Sequence, residues 1–323
     1  MQKISFHPTQ YPTPISVIPS MIRPPHLHPG DRVAIVATAR KISPKEIEPA
    51  VALLRSWQLD VVLPDHLFDS DNQFAGDDAT RALTLQRQLD DPAVRAIFCA
   101  RGGYGTVRII DRLDFTRFRQ HPKWIVGYSD ITVLHSHIHR HLGIETLHAT
   151  MPINIPPDAL STPYPAVETL RQALFGEPLS HSLPSHPLNR LGTAQAPLVG
   201  GNLSILYSLC GSSSDIDTDG KILFIEDLDE YLYHIDRMMM NLKRCGHLSR
   251  LAGLVVGQMS DMHDNTVPFG STAEEIIHNA VKEYSYPVCF NYPAGHNGTD
   301  NHALILGHTA TLTVTLDSSS LSF

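Results

Sequence analysis

The chain has 323 residues, 42% of them apolar and 18% charged, with 25 Lys and Arg against 33 Asp and Glu, a formal net charge of −8. That length is about right for two domains of roughly 100–200 residues, and the composition argues for packed cores and against disorder. The acidic balance argues against nucleic acid as a partner, because a phosphate-backbone footprint needs a basic face. No run approaches the ~18 consecutive apolar residues of a transmembrane helix, so no membrane association is expected.

The first twenty residues carry a single Lys and then prolines, where a signal peptide needs about 7–15 apolar residues. Cys99, Cys210, Cys245 and Cys289 are far apart in sequence, each in an apolar stretch, with no C-x-x-C. They read as buried free thiols in a reducing compartment, and a cytoplasmic protein is expected.

Proline marks the expected boundaries, with seven of 24 in residues 1–29 and nine in 151–197. The first stretch reads as an extended tail and the second as a linker with one short helix near Val167–Leu174. Between them, residues 30–150 alternate strand and helix. Arg32–Ala37, Val61–Leu63, Ala96–Ala100 and Trp124–Gly127 are short apolar runs, as for strands covered on both faces. Pro44–Trp57, Ala79–Leu89, Val107–Leu113 and Ile131–His141 have helical spacing, the second with Asp77 or Asp78 as cap. This alternation implies an α/β domain built on an open parallel sheet with helices on both faces, whose sites lie beyond the strands' carboxyl ends.

Residues 198–323 read as a smaller C-terminal α+β domain. Helices are expected at Leu203–Leu209, Ile235–Cys245 and Thr272–Tyr284, the last capped by Ser271 or Thr272. Strands are expected at Lys221–Ile225, Leu254–Gly257 and Val288–Phe290. Ala303–Leu306 and Ala310–Val314 read as a closing hairpin.

The segment Trp124-Ile-Val-Gly-Tyr-Ser-Asp ends a buried strand and places Ser129 at a strand-to-helix turn. A nucleophilic serine needs such a place, an exposed hydroxyl near amides that favour negative charge. The amide of Asp130 then faces a developing oxyanion. G-x-S-x-G is not met, and the alternative is that Ser129 or Asp130 only caps the helix. Arg101-Gly-Gly-Tyr-Gly105 also follows a strand; taken alone it is a tight turn, but beside Ser129 its amides offer a second oxyanion donor. Glu226 and Asp227 follow an apolar strand, where carboxylates are partly desolvated unless paired. His296 follows Gly295 after another strand.

These motifs together resemble the LD-carboxypeptidases, the serine peptidase family of muramoyltetrapeptide carboxypeptidases. Gly127-Tyr-Ser-Asp130, Arg101–Gly105, Phe224-Ile-Glu-Asp227, Gly295-His-Asn297, Gly30-Asp31 and Gly200-Gly-Asn-Leu203 occur in the family's order from about Pro24 onward. The resemblance implies Ser129 as nucleophile, His296 as base, Glu226 as orienting acid and a homodimer; because both loops open at the carboxyl edge of one sheet, the Gly103 and Asp130 amides are expected to form the oxyanion hole, and no metal or other cofactor is expected. Asp229 and Glu230 compete for the acid's role; Glu226 is preferred because it directly follows the strand, where position is most rigid. One departure is Ala37-Thr-Ala-Arg40, where the family has Ala-Pro-Ser after its first strand.

His135, His137, His139 and His141 form two i,i+4 pairs on a helix. Without H-E-x-x-H or a nearby cysteine they read as a His-rich exposed face, not as a metal site.

The leading reading is thus a cytoplasmic serine carboxypeptidase that releases the terminal D-alanine of murein tetrapeptides in peptidoglycan recycling. A second keeps the triad and resembles microcin-immunity peptidases acting on aminoacyl nucleotides; Trp57 and Trp124, the only tryptophans, read as buried, which leaves no stack for adenine. The third is a two-domain binding module whose serine only caps a helix.

Overall fold

A computed structural model describes residues 21–323, so most of the expected tail, residues 1–20, lies outside the described residues. In chain order the first half contains β1 (Arg32–Val36), α1 (Pro44–Ser56), β2 (Asp60–Val62), α2 (Asp78–Asp90), β3 (Val94–Cys99), α3 (Thr116–Gln120), β4 (Trp124–Val126), α4 (Thr132–Leu142), β5 (Thr146–His148) and α5 (Pro165–Phe175). Then come β6 (Ser180–Pro184), β7 (Gly192–Asn202), α6 (Leu203–Leu209), β8 (Ile222–Leu228), α7 (Leu232–Arg244), β9 (Gly253–Ser260), α8 (Ala273–Val281), β10 (Val288–Cys289), β11 (Leu304–Leu306), β12 (Thr309–Val314) and β13 (Ser318–Ser322).

The first sheet has the order β11-β5-β4-β3-β1-β2. Its strands run parallel except β11, which pairs antiparallel with β5. Alternation along β1 shows why both faces are covered. Val33 and Ile35 pack with Ile47, Leu54, Leu170 and Leu174 of α1 and α5, whereas Ala34 and Val36 pack with Leu85, Phe118 and Ile138 of α2, α3 and α4. A strand covered twice has no polar face, hence its continuous apolar run. Asp77 caps α2 by accepting from the Thr80 amide.

The second sheet has the order β10-β9-β8-β7-β12-β13-β6. From β10 to β7 the pairing is parallel, with α6, α7 and α8 packed on one face. From β7 to β6 it is antiparallel. Thr272 caps α8 within a capping box completed by Glu275.

Several expectations change. Val107–Leu113 is two separate 3-10 turns, Thr106–Arg108 and Ile110–Arg112. Ile109 ends the first turn and starts the second, and the backbone turns extended at Leu113; such i to i+3 turns occur in short pieces rather than as one longer helix. Ala303–Leu306 does not pair with Ala310–Val314. Leu304–Leu306 joins the first sheet, and the hairpin is instead β12 with β13. The stretch expected as a linker, 151–197, holds α5, β6 and half of β7; Pro165 starts a helix and Pro184 ends a strand, while Pro197 lies within β7 where its pairing passes from β12 to β8, positions that tolerate a missing amide donor. Residues 21–29 lie against the first sheet, with the Ile22 amide bonded to the Gly143 carbonyl and Trp124 Nε1 donating to the Pro25 carbonyl at 3.0 Å.

Candidate active site

The carboxyl ends of both parallel sheets open on one cavity of about 520 Å³. The loops after β1, β3 and β4 supply Arg40, Arg101, Gly102, Gly103 and Ser129, and β8 with the turn after β10 supplies Asp227 to Glu230 and His296.

Ser129 sits where the sequence indicates, one turn beyond buried β4, with φ +64°. A non-glycine residue in this left-handed region costs about 1–3 kcal/mol and persists where its surroundings hold it. The hold is visible on both sides. His135 Nε2 donates to the Gly127 carbonyl at 2.9 Å, and Asp130 Oδ2 accepts from the Thr106 amide at 2.8 Å. Neither Ser129 nor Asp130 caps a helix through its side chain, so the capping alternative does not describe this turn.

The glycine loop after β3 lies against this turn. A Cβ on Gly102 would stand 2.9 Å from Ser129 Cβ, 3.0 Å from its Oγ and 3.4 Å from the Asp130 nitrogen. Only a residue without a side chain lets the two loops approach so closely. Gly103 has φ +109°, and the place of its missing Cβ is taken by the Arg40 stem. The glycine that abuts Ser129 is therefore Gly102, a residue within the recognised motif but not singled out by the sequence. Among the described residues, neither the Gly103 nor the Asp130 amide donates to a turn or loop carbonyl. Arg81, also unforeseen, is buried beneath these loops and donates to the carbonyls of Thr38 at 2.6 Å and Gly105 at 2.9 Å.

Glu226 was expected just after its strand but lies within β8, which continues to Leu228. Pairing of β8 with β9 shifts register between Ile225 and Asp227, which puts Glu226 at the irregularity. Such bulges re-aim a side chain beside a site. Glu226 is fully buried, and its Oε2 lies 2.6 Å from His296 Nδ1. Gly295 permits this, since a Cβ there would stand 3.1 Å from Glu226 Oε2. Burial lowers the His296 pKa, but the Glu226 charge, its hydrogen bond and the charge of Asp227 outweigh it, so the net direction is upward. The edge of the His296 ring packs on Tyr128, centroids 4.8 Å apart. Ser129 and His296 line the same cavity without a hydrogen bond between them among the described residues; catalytic contacts commonly tighten only when substrate is bound.

The competing carboxylates are engaged elsewhere. Glu230 meets His234 Nδ1 at 2.6 Å and Asp229 meets His263 Nε2 at 2.5 Å. Asp227 accepts from Asn202 Nδ2 and the Ser204 amide, each at 2.9 Å, and burial with the neighbouring Glu226 charge pushes its carboxyl up to about 7.

The histidines of α4 do not form an exposed face. His135 and His139 are buried, because the stripe that carries them faces the sheet. His137 bonds the Ser214 hydroxyl, His139 the Thr146 hydroxyl and His141 the Ser213 carbonyl. Each ring has its own partner, so the four do not converge.

Residues 33–149 match the LD-carboxypeptidase N-terminal domain, and residues 195–312 match the LD-carboxypeptidase C-terminal domain. The chain is 37% identical over 282 residues to a protein of Bacillus subtilis named a probable murein peptide carboxypeptidase, covering 85% of this chain and 86% of that one. The crystal structure of muramoyltetrapeptide carboxypeptidase from Oxalobacter formigenes superposes with a TM-score of 0.81 at 25% identity, over 90% of this chain and 98% of that one. An MccF-like protein from Bacillus anthracis shares the fold, with a TM-score of 0.78 at 21% identity over 93% and 99% of the two chains.

Proposed function

Because this chain belongs to the LD-carboxypeptidase family and is a peptidase, we propose that it is a serine carboxypeptidase that releases the terminal D-alanine of murein tetrapeptides. Ser129 is the nucleophile, His296 the base and Glu226 the acid that orients it. The observation that carries this reading is the fully buried Glu226 carboxylate 2.6 Å from His296 Nδ1, on the cavity that Ser129 also lines.

The chemistry follows from that contact. Glu226 accepts a hydrogen bond from Nδ1–H, which keeps the proton on that nitrogen and leaves the Nε2 lone pair free for the Ser129 hydroxyl. Serine is a weak nucleophile until a base takes its proton. Oγ attacks the carbonyl of the L,D-peptide bond, the proton passes to Nε2, and Glu226 stabilises the imidazolium. The negative charge on the former carbonyl oxygen is met by the amides of Asp130 and Gly103. Collapse of the intermediate returns the proton from Nε2 to the departing D-alanine amine. A water molecule, deprotonated by the same nitrogen, then releases the shortened peptide from Ser129.

The cleft walls fit a zwitterionic peptide. Arg40 has no carboxylate partner among the described residues, whereas Arg101 shares Glu46 at 3.6 Å. Arg40 is the group for the substrate's terminal carboxylate, and Asp229 and Glu230 on the opposite wall suit the ammonium of a diamino acid. In this reading 30–150 brings the nucleophile and 198–323 the acid and base. The enzyme is a cytoplasmic homodimer; among the described residues no helix is long and apolar enough to cross a membrane, and all four cysteines are free.

The test is mass spectrometry of a murein tetrapeptide incubated with purified protein. Loss of one alanine, abolished by Ser129→Ala, is the expected result. An intact tetrapeptide, or equal turnover by the variant, overturns the reading.

A further inference from the structure

All four cysteines are expected to be buried, and two of them are not. Cys99 and Cys289 are buried in the two cores, but Cys210 is half-buried and Cys245 exposed. Cys210 closes the C-terminal end of α6, and Cys245 closes that of α7. Asp215 stands in the loop after α6, and His247 lies two residues beyond Cys245.

One side-chain donor atom from each of Cys210, Asp215 and His247 lies within 4.8 Å of the other two. His247 Nε2 and Asp215 Oδ1 are 3.1 Å apart, yet both atoms are buried and neither is in a hydrogen bond. An imidazole N–H aimed at a carboxylate would satisfy both. Two atoms that approach this closely without aligning are disposed as donors around a common point. The other Asp215 oxygen, Oδ2, accepts from the Gly211 amide at 2.9 Å, an outer contact of the kind that orients a metal ligand. The neighbouring acids are already neutralised, Asp217 by Lys221 and Asp219 by Arg250, each at 2.8 Å.

The charges at this spot call for a cation. Two helix C-termini end there, each carrying partial negative charge. The Cys245 thiol lies beside the Cys210 thiol. Thiolates with imidazole and carboxylate are the donor set of zinc-class ions. Bonds of about 2.0–2.3 Å at tetrahedral angles put ligand atoms about 3.3–3.8 Å apart, so atoms that already lie within 4.8 Å of one another need at most about 1.5 Å of adjustment, within the reach of side-chain rotation.

We propose that Cys210, Asp215 and His247 bind one zinc-class divalent cation, with the Cys245 thiol turning in from its contact with Asn241 as the fourth ligand. The site is separate from the cleft and shares no lining residue with it. Four protein ligands leave no open position, so its work is to tie the 211–220 loop and the end of α6 to the end of α7. Binding releases two thiol protons, one from each cysteine, and affinity therefore rises with pH.

The experiment uses the full chain, reduced, stripped with a chelator and exchanged into metal-free buffer. Titration with Co²⁺ is expected to produce thiolate-to-cobalt absorption that saturates at one equivalent, disappears on addition of one equivalent of Zn²⁺, and is accompanied by a rise in Tm with Zn²⁺. Cys210→Ser and His247→Ala each remove the absorption, while His137→Ala and His141→Ala keep it. Folded wild-type protein that gives no saturable absorption overturns the proposal. So does absorption that survives both Cys210→Ser and His247→Ala. The wild-type titration decides even where a variant does not fold.

Discussion

His296 and the histidines of α4 contain the same ring and come to opposite ends. His296 faces the cleft with a buried carboxylate on its Nδ1, and its pKa moves up. His135 and His139 face neutral oxygens in the core, and burial moves them down to about 4 and about 3. An imidazole becomes a base when one nitrogen is held by an anion and the other is free to reach substrate. When a carbonyl or hydroxyl holds it inside a core, it is a polar packing group, neutral near pH 7. The α4 rings still serve the site at one remove, since His135 holds the Gly127 carbonyl two residues before the nucleophile.

This contrast is broken most directly by removing each kind of histidine. Ser129→Ala and His296→Ala should each lower kcat/KM by about 10³-fold or more, because members of a triad act as a unit. His135→Ala should lower stability by about 2–4 kcal/mol, through a core cavity and the loss of the shorter of the Gly127 carbonyl's two hydrogen bonds. Steady-state rates and denaturant midpoints of the same three variants check both. A large loss of stability in His296→Ala, or of chemistry alone in His135→Ala, would reverse the assignment.

The acid sharpens it further. Glu226→Gln should cost about 10²–10⁴-fold in kcat, since it disturbs the tautomer and the charge on the ring without removing it. Glu230→Gln, whose partner is His234, should cost much less; the opposite ranking would mean that the wrong carboxylate has been assigned.

A smaller effect lies in the pH profile. The base must be neutral to act, and a raised His296 pKa means that it is protonated up to a higher pH than a free imidazole. The acid limb of kcat/KM should therefore fall above 6.5, the ordinary value for His. Glu226→Gln leaves burial without the opposing charge and should move that limb to lower pH. A limb that stays in place in the variant removes the electrostatic link between the two residues. Smallest of all, Arg40→Ala should raise KM several-fold with kcat nearly unchanged, as for a group that binds substrate and transition state alike.

The central strands were legible in the sequence because both their faces are buried, so RVAIV, VRAIFC and ILFI read as apolar runs. β7 was not, since Gly192-Thr-Ala-Gln-Ala-Pro alternates small and polar residues as the seam between the parallel and antiparallel parts of its sheet. The serine turn, the glycine loop, Glu226 and His296 were found because their residue types are tied to their backbone positions. The direction of a helix face was not legible. Spacing pairs His135 with His139 but does not say which stripe meets the sheet. The grouping of Cys210 with His247 was beyond reach, because 37 residues separate them and only the packing of α6 against α7 joins them.

The pairing of Leu304–Leu306 with Thr146–His148 has a consequence for biosynthesis. As the polypeptide leaves the ribosome, β5 emerges with its outer backbone groups unpaired, and the strand that covers them is made more than 150 residues later. Until then the first sheet presents an open edge, the kind of surface to which other chains add. The half that holds Ser129 is thus completed only by a segment lying beyond His296, so the two halves are expected to unfold together rather than in turn. A translation product cut short between the two would carry the serine, lack the base and expose that edge, which makes it a substrate for chaperones and proteases.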